Sequence, residues 1–152
     1  MWLRLIAFLL LNFTALAIGS FLMDGGVTSD WYANLNKAPW TPPGWVFGSA
    51  WTTIMVCFAI FMAKASLKVD NQNKLVSLFA IQWVLNVAWN PLFFKYQLVF
   101  PALIAITLLT VLVGYFLFGY RTKLKAIALL VLPYFVWLLI ATSLNAYILL
   151  AN

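Results

Sequence analysis

Five long runs of the chain contain no Asp, Glu, Lys or Arg, and short polar or charged connections separate them. Each run is about as long as the roughly 20 residues that an α-helix needs to cross a bilayer. Strands of a membrane β-barrel would span about 10 residues with strict alternation, a pattern that this sequence lacks. We therefore predict an all-α integral membrane protein in which residues 1–152 form one domain, a bundle of five transmembrane helices. The uncharged runs are Leu5–Met23, Ala38–Ala63, Leu75–Phe94, Tyr96–Tyr120 and Ala126–Asn152.

Turn residues and prolines at the ends of these runs set the expected helix boundaries. The first helix carries Asn12, Ala15 and Gly19 on one face, where small residues allow close packing against a neighbouring helix. The third helix is expected to be kinked near its end by Pro91. The five helices are predicted over about Trp2–Leu22, Gly44–Lys64, Lys74–Phe94, Val99–Tyr120 and Lys125–Leu150.

The connection between the first two helices is a long, aromatic and proline-rich first loop. The segment Trp31–Trp51 holds four of the eight tryptophans and three of the six prolines. Pro42 and Pro43 remove two amide donors and fix two φ angles, so this part is neither a regular helix nor a central strand. The aromatic content is too high for a solvated linker. We interpret the segment as a rigid lid over an apolar space, with Ser29 or Asp30 capping a short helix.

Composition excludes a soluble domain, because the chain is 66% hydrophobic and 8% charged, whereas soluble domains carry about 25% charged residues. The net charge of +6 is unevenly placed: five spans leave only Lys37 and Lys95 on one side. The positive-inside rule then predicts a bacterial inner-membrane protein with a cytoplasmic N-terminus, and with the first loop and the C-terminus outside. The basic residues expected on the cytoplasmic side are Arg4, Lys64, Lys68, Lys74, Arg121, Lys123 and Lys125.

Two alternative interpretations of these features are less favoured. Basic residues that flank membrane spans already have an explanation, so we do not expect nucleic acid as a partner. Arg4, the apolar run and Ala15-Leu16-Ala17 together imitate a cleavable signal peptide. We favour an uncleaved first helix because the apolar run continues to Met23.

The polar groups available for chemistry are few. The chain has no histidine and its three acidic residues, Asp24, Asp30 and Asp70, lie in connections. These absences argue against a metal site and against an ion-coupled pump, which places ionisable groups within the membrane. No phosphate-binding glycine loop or catalytic triad is present, and the single cysteine, Cys57, cannot form an intrachain disulfide.

Aromatic rings and amides remain as candidate site residues. We expect Trp51, Trp89 and Trp137 to converge on an apolar pocket in which Asn86 and Gln82 orient a large planar ligand. Two alternatives stay open. Tryptophans also form interfacial belts, which fits Trp2, Trp31 and Trp45 better than the deeper Trp51 and Trp137, and Asn86 could simply bond a neighbouring helix.

Three ordered groups of residues resemble the TspO/MBR family, the tryptophan-rich sensory proteins of bacteria and the mitochondrial translocator protein, once called the peripheral benzodiazepine receptor. The first group lies in the lid and second helix, the next at Asn86–Phe94, and the last in Pro133–Trp137 and Ala141–Asn145. Together they cover nearly the whole chain. The lid and second-helix residues are Trp31, Tyr32, Leu35, Lys37, Trp40, Pro42, Pro43, Trp45, Gly48, Trp51 and Thr52.

The resemblance implies a five-helix bundle, often a homodimer, whose pocket opens toward the first loop and accepts porphyrins, sterols and synthetic ligands. It also implies that Trp51 and Trp137 take part in light-dependent breakdown of protoporphyrin, as in some family members. The pocket positions that it implies are Tyr32, Trp40, Pro42, Phe47, Trp51, Asn86, Trp89, Phe93, Trp137 and Ala141.

Two departures from the family pattern change these expectations. The family often has Lys-Pro near the centre of the lid, whereas this chain has Lys37-Ala38-Pro39, which alters the expected bend. The cholesterol-recognition pattern requires a basic residue after a tyrosine, and none follows Tyr147. That absence argues against high-affinity cholesterol binding.

The function that we expect is a membrane sensor or regulator that binds a porphyrin, or another apolar polycyclic molecule, without a metal or a resident cofactor. Because the chain has no histidine, binding would recognise the macrocycle and not an iron axial ligand, with Lys37 meeting a propionate. Two alternatives are an enzyme that degrades protoporphyrin with light and oxygen, and a carrier of porphyrin- or sterol-like ligands.

Overall fold

All regular secondary structure in the chain is helical, and the computed structural model describes all residues from 1 to 152. Five helical segments are long and apolar enough to cross a membrane, which confirms the predicted all-α bundle. The α-helices are α1 (Trp2–Leu22), α2 (Asp30–Asn34), α3 (Gly44–Lys68), α4 (Gln72–Asn90), α5 (Val99–Gly119), α6 (Arg121–Leu124) and α7 (Leu132–Ala151). Two 3₁₀ segments, Gly26–Thr28 and Lys125–Val131, and one π-helical turn, Pro91–Lys95, complete the structure.

The five long helices form a closed ring in the order α1, α3, α7, α5, α4. Helix α1 packs against α3 and α4, and α5 packs against α4 and α7. Helix α3 closes the ring against α7 and the 3₁₀ segment before it. The ends of the helices place seven of the nine basic residues at one end of the bundle, called here the basic end, and the first loop at the other.

The densest part of the core lies in the half of the bundle nearer the basic end. Phe58 is almost fully buried there and packs against Phe61 at 5.8 Å and edge-on against Phe116 at 5.4 Å between ring centroids. Since lipid chains are as apolar as these side chains, such packing stabilises the bundle through close contact and not through exclusion of water. The half near the first loop contains a cavity of about 270 Å³.

The face predicted for the first helix is confirmed, because Asn12, Ala15 and Gly19 are the buried residues of α1. The Asn12 side chain donates a hydrogen bond to the Met55 carbonyl on α3 at 3.0 Å. A Cβ at Gly19 would lie 2.7 Å from Nδ2 of Asn90, so a side chain there would force Asn90 to move. The small residues therefore let α1 approach both of its neighbours.

Pro91 distorts the end of the third span as predicted, in the form of a π-helical turn. The Tyr96 N–H donates to the Pro91 carbonyl at 2.9 Å, which closes a ring one residue wider than in an α-helix. The wider turn places two consecutive residues, Phe93 and Phe94, in the interior of the protein, and both are buried.

The predicted start of the last helix, Lys125, is wrong. Residues Lys125–Val131 form a 3₁₀ segment, and α7 begins at Leu132. The reason is Pro133, which has no N–H to donate to the carbonyl four residues before it and is tolerated only in the first turn of a helix. Helix α3 extends one turn beyond the predicted Lys64, and α4 begins before Lys74, whose N–H is capped by the Asn71 side chain at 2.9 Å.

Candidate functional site

A cavity of about 270 Å³ lies between α1, α3 and α4, at the end of the bundle nearest the first loop. Gly25 and Gly26 have φ angles of 88° and 55°, a backbone conformation that favours glycine. The turn that they form brings Met23 and Val27 over the cavity. The other lining residues are Ala15, Leu16, Ser20, Gly44, Phe47, Gly48, Trp51, Thr52, Asn86, Trp89, Asn90 and Phe94.

The aromatic rings on either side of this cavity are held by contacts behind them. Trp51 on α3 packs edge-on against the buried Tyr134, with ring centroids 5.9 Å apart. Trp89 on α4 stacks on Phe93 at 5.5 Å and donates its Nε1–H to Oδ1 of Asn145 at 3.2 Å. These contacts fix the planes of both indole rings, so the cavity offers flat apolar surfaces before any ligand arrives.

Of the two predicted orienting amides, only Asn86 lines the cavity. Asn86 is 4% exposed, and no hydrogen bond joins its side chain to another protein group. Its amide atoms are nevertheless accessible from the cavity, so a ligand with a suitable donor or acceptor could form a hydrogen bond with them. Gln82 lies deeper, where its Nε2 donates to Oη of Tyr134 at 2.8 Å.

A second, much smaller void of about 20 Å³ adjoins the cavity on the side of α7. Phe47, Trp89 and Phe94 line both spaces and separate them. The predicted pocket positions are therefore divided: Phe47, Trp51, Asn86 and Trp89 line the cavity, and Tyr32, Phe93 and Ala141 line the void together with Phe47 and Trp89.

The third tryptophan expected to converge, Trp137, does not line the cavity. It lines a separate surface groove of about 280 Å³ between α3 and α7, together with Ser49, Thr53 and Pro133. Phe47 lies between Trp137 and the cavity and packs edge-on against the indole at 5.3 Å. Helical spacing predicts inward faces for all three tryptophans. It does not predict that Phe47, one turn before Trp51 on α3, separates Trp137 from the other two.

The first loop is tightly packed on the bundle through Tyr32. Ser29 caps α2 by accepting from the Tyr32 N–H at 3.3 Å, so the serine and not Asp30 is the capping residue. The Tyr32 ring packs on Phe93 and Phe94 with centroid distances of 6.4 and 5.6 Å. Burial raises the pKa of the Tyr32 phenol, which therefore stays neutral well above pH 7.

The structure does not support the expected role of Lys37 as a partner for a propionate. Its Nζ donates to the carbonyls of Tyr32, Ala33 and Leu35 at 2.8, 2.9 and 3.3 Å. The ammonium group thus caps the C-terminal end of α2, where the helix dipole favours a cation. Binding a carboxylate there would require Lys37 to release these carbonyls.

Trp40 and Pro42, two of the predicted pocket positions, line neither the cavity nor the void. Trp40 is 55% exposed, donates its Nε1–H to Oγ of Ser143 at 3.1 Å and packs edge-on against Tyr147 at 5.5 Å. Pro42 is half-buried just before α3. Both residues belong to the first loop, which Trp40 attaches to α7. The expected covering of the cavity by prolines is not observed.

Asn36 and Asn152 provide a second attachment of the first loop to α7. The Asn36 N–H donates to Oδ1 of Asn152 at 2.9 Å, and Nδ2 of Asn152 donates to the Asn36 carbonyl at 3.2 Å. Nδ2 of Asn36 also donates to the Ala151 carbonyl at 3.1 Å. Because the three bonds act on one residue of the loop, they restrict its movement away from the bundle.

Replacing Asn36 by alanine is expected to loosen the first loop without unfolding the bundle. The change removes the bond made by the Asn36 side chain and loosens the two bonds made by its backbone. Each such hydrogen bond contributes about 0.5–1.5 kcal/mol to stability. Amide hydrogen exchange of residues 35–43 should become about tenfold faster. Asn34→Ala is the control, since the Asn34 side chain bonds only the Asp30 carbonyl within α2. Equal exchange in both variants would contradict this role of Asn36.

Sequence reasoning missed the part of the cavity formed by α1 and the turn after it. Ala15, Leu16 and Ser20 line the cavity from α1, next to the face that packs against α3 and α4. The small residues of α1 are the sequence signal for this wall, although the same residues also predict a packing face. Asn145 was also missed, and its contact with Trp89 crosses from α7 to α4.

Comparison with known proteins finds relatives along nearly the whole chain. Residues 7–150 match the TspO/MBR family. The chain is 34% identical to the tryptophan-rich protein TspO of Archaeoglobus fulgidus over 151 residues. This alignment covers 99% of the present chain and 97% of the relative. It is 34% identical over 125 residues to the tryptophan-rich protein TspO of Chlorobaculum tepidum, 80% and 79% of the two chains. It is 30% identical over 151 residues to the translocator protein of Bos taurus, an alignment that covers 95% of this chain and 87% of the relative. The chain therefore belongs to the TspO/MBR family of membrane sensor and translocator proteins.

Proposed function

We propose that this protein is a membrane sensor or regulator that binds a porphyrin in the cavity between α1, α3 and α4. The observation that carries the proposal is the pairing of two fixed indole rings, Trp51 and Trp89, with the unpaired amide of Asn86 in one apolar space. A planar polycyclic ligand gains area and stacking geometry from such rings. A relative in Cereibacter sphaeroides is described as a tryptophan-rich sensory protein, which supports a sensing role.

The size of the cavity indicates how a macrocycle fits. Its volume of about 270 Å³ is close to the lower limit of ligand pockets, which span about 300–1,000 Å³. Displacement of the Phe47 ring would join the cavity to the void lined by Tyr32 and Ala141. The same movement would uncover the Trp137 ring that Phe47 now covers. We therefore expect ligand binding to require a side-chain movement at Phe47 and not a rearrangement of the helices.

Recognition in this proposal depends on the face and edge of the macrocycle. The chain contains no histidine, and Lys37 is held by three backbone carbonyls. Binding then requires neither iron nor a charged partner in the cavity, and free-base protoporphyrin is the appropriate probe. The ligand's polar edge would meet Asn86, and its apolar faces would meet the indole rings.

Trp51→Phe is expected to weaken binding of protoporphyrin to the detergent-solubilised protein by about two- to tenfold, because phenylalanine offers less stacking area than an indole. The measurement is saturable quenching of tryptophan fluorescence during titration. Trp45→Phe is the matched control, since Trp45 is 76% exposed at the start of α3 and lines neither the cavity nor the adjoining void. Equal affinity of the Trp51 variant and the control would count against a ligand in this cavity.

Light- and oxygen-dependent degradation of protoporphyrin is a second candidate function. The favouring observation is that Trp51 faces the cavity while Trp137 lies one ring behind it, across Phe47. Two oxidisable indoles would then flank a ligand that had displaced Phe47. An absorbing product that forms under illumination, and is lost in both Trp51→Phe and Trp137→Phe, would establish this activity. No feature of the cavity specifically favours the third candidate, a carrier.

We also propose the orientation and assembly of the protein in its membrane. The basic end, with seven of the nine basic residues, would lie in the cytoplasm of a bacterium, and the first loop and C-terminus outside the inner membrane. Reporter fusions to residues 1 and 152 distinguish the two orientations. The homodimer stays a prediction, which cross-linking in lipid nanodiscs tests.

A further inference from the structure

A groove of about 220 Å³ at the basic end lies apart from the cavity described above. It is formed by the last turns of α5, by the 3₁₀ segment Lys125–Val131 and by the first turns of α7. Eight of its nine lining residues are hydrophobic, and the ninth is Arg121. The groove thus combines an apolar surface with one guanidinium group.

The surface around the groove faces the surrounding lipid. Phe118 on α5, Leu129 in the 3₁₀ segment and Leu139 on α7 are 57%, 53% and 49% exposed. In a protein with five membrane spans, exposed side chains of this kind contact acyl chains. The 3₁₀ segment, which the sequence did not predict, contributes Ala128 and Leu129 to the lining of the groove.

The shape of the groove depends on a close contact between α5 and α7. The Phe135 ring lies against Gly114, where an added Cβ would come within 3.1 Å of Cε2. Phe118 packs edge-on against the same ring at 5.6 Å. Phe135 is therefore held between Gly114 and Phe118 of α5 and forms one side of the groove.

The charges near the groove are not neutralised by the protein. The acidic residue at this end, Asp70, forms an ion pair with Lys123. Arg121 and Lys125 form no ion pair or side-chain hydrogen bond, and both are exposed. Asp24 and Asp30 lie at the opposite end of the bundle. Arg121 lines the groove, and Lys125, whose backbone N–H donates to the Arg121 carbonyl, adds a second cation for which the protein supplies no anion.

We infer that this groove binds an anionic phospholipid, with an acyl chain along Phe118, Leu129 and Leu139 and the phosphate at Arg121 and Lys125. A guanidinium group can donate two parallel hydrogen bonds to a phosphate. Basic pockets between membrane helices recognise anionic headgroups in this way, and each basic side chain contributes about fivefold in affinity. This site is independent of the porphyrin cavity, which lies in the other half of the bundle.

The test uses the full chain in nanodiscs that contain phosphatidylglycerol or phosphatidylcholine with the same diazirine-labelled acyl chain. After photolysis, mass spectrometry of peptides locates the labelled lipid. The expected result is labelling of residues 117–139 by phosphatidylglycerol, with much weaker labelling by phosphatidylcholine. A parallel titration by native mass spectrometry, in neutral detergent, measures the affinity for phosphatidylglycerol.

Three variants separate the two parts of the site. Arg121→Gln should reduce the affinity for phosphatidylglycerol about fivefold, because it removes one cation without removing any contact that the structure shows. Leu129→Trp fills the channel and should abolish labelling of residues 117–139 while the charge is unchanged. Lys95→Gln removes the same charge at the opposite end of the bundle and should have no effect.

Three results would overturn the proposal. The first is equal labelling by the two lipids, which would show acyl contact without headgroup recognition. The second is an affinity that Arg121→Gln leaves unchanged, or that Lys95→Gln lowers equally. The third is cross-linking of residues 117–139 to a second copy of the chain in place of lipid, which would identify the groove as a subunit contact.

Discussion

Gly48→Leu is expected to abolish ligand binding in the cavity while leaving the bundle folded. Gly48 lines the cavity, and a Cβ built on it has no heavy atom within 4 Å. Its neighbours one turn away on α3, Gly44 and Thr52, also line the cavity, so a leucine at this position projects into the same space. Because a side chain and a ligand cannot occupy one volume, protoporphyrin affinity should fall at least about a hundredfold.

Gly48→Ala is the matched control for this prediction. The added methyl group meets no atom and should stabilise α3 by about 0.5–1 kcal/mol, because glycine is unfavourable inside a helix. Its protoporphyrin affinity should stay close to that of the unchanged protein. Fluorescence titration and thermal unfolding of both variants give the two quantities. Full binding by Gly48→Leu would show that the ligand site lies elsewhere.

Asn145→Leu is expected to destabilise the protein and to weaken ligand binding from a position outside the cavity. Asn145 is 1% exposed, accepts from Nε1 of Trp89 at 3.2 Å and donates to the Val99 carbonyl at 3.0 Å. Leucine has a similar size but leaves both groups without this partner, at a cost of about 1–3 kcal/mol. The Trp89 ring would lose the bond that fixes its orientation beside the ligand.

A double-mutant cycle separates this positioning role from a general loss of packing. In a Trp89→Phe background the indole donor is already absent, so Asn145→Leu should cost less than in the unchanged protein. Hydrogen bonds between membrane helices suggest a coupling energy of about 0.6–1.7 kcal/mol. Unfolding by sodium dodecyl sulfate in mixed micelles measures it. Strictly additive effects would mean that the Trp89–Asn145 bond contributes nothing to stability.

The membrane architecture could be predicted from the sequence because the bilayer imposes it. Each span needs a run of apolar residues of a fixed length, and the charged residues can lie only in the connections. The buried faces of Asn12 and Gly19 on α1, and of Gln82 and Asn86 on α4, followed from helical spacing. These features depend only on the local sequence and on the hydrocarbon core of the bilayer, which constrains every span in the same way.

The arrangement of the site could not be predicted to the same extent, because it depends on contacts between distant segments. Spacing placed Trp137 on an inward face, but only the packing of Phe47 against it shows that it lies outside the cavity. Lys37 was available as a cation in the sequence, yet three carbonyls of its own segment bind it. The loop contact of Asn36 joins residues 116 positions apart.

The predicted roof of the cavity illustrates the same limit. Pro42 and Pro43 correctly indicated a non-helical segment before the second span, but the contacts that attach the loop to the bundle are made by Tyr32 and Asn36 and not by the prolines. The turn at Gly25 and Gly26 instead places Met23 and Val27 over the cavity. Turn glycines were visible in the sequence, but the direction of the chain after them was not.

An experimental structure of the protein in lipid with bound protoporphyrin tests the central claim most directly. We expect the macrocycle between α1, α3 and α4, in contact with Trp51 and Trp89, with an edge beside the Asn86 amide and with the Phe47 ring displaced. Density for the macrocycle in the α3–α7 groove or on the membrane surface, above an unchanged and empty cavity, would contradict the account.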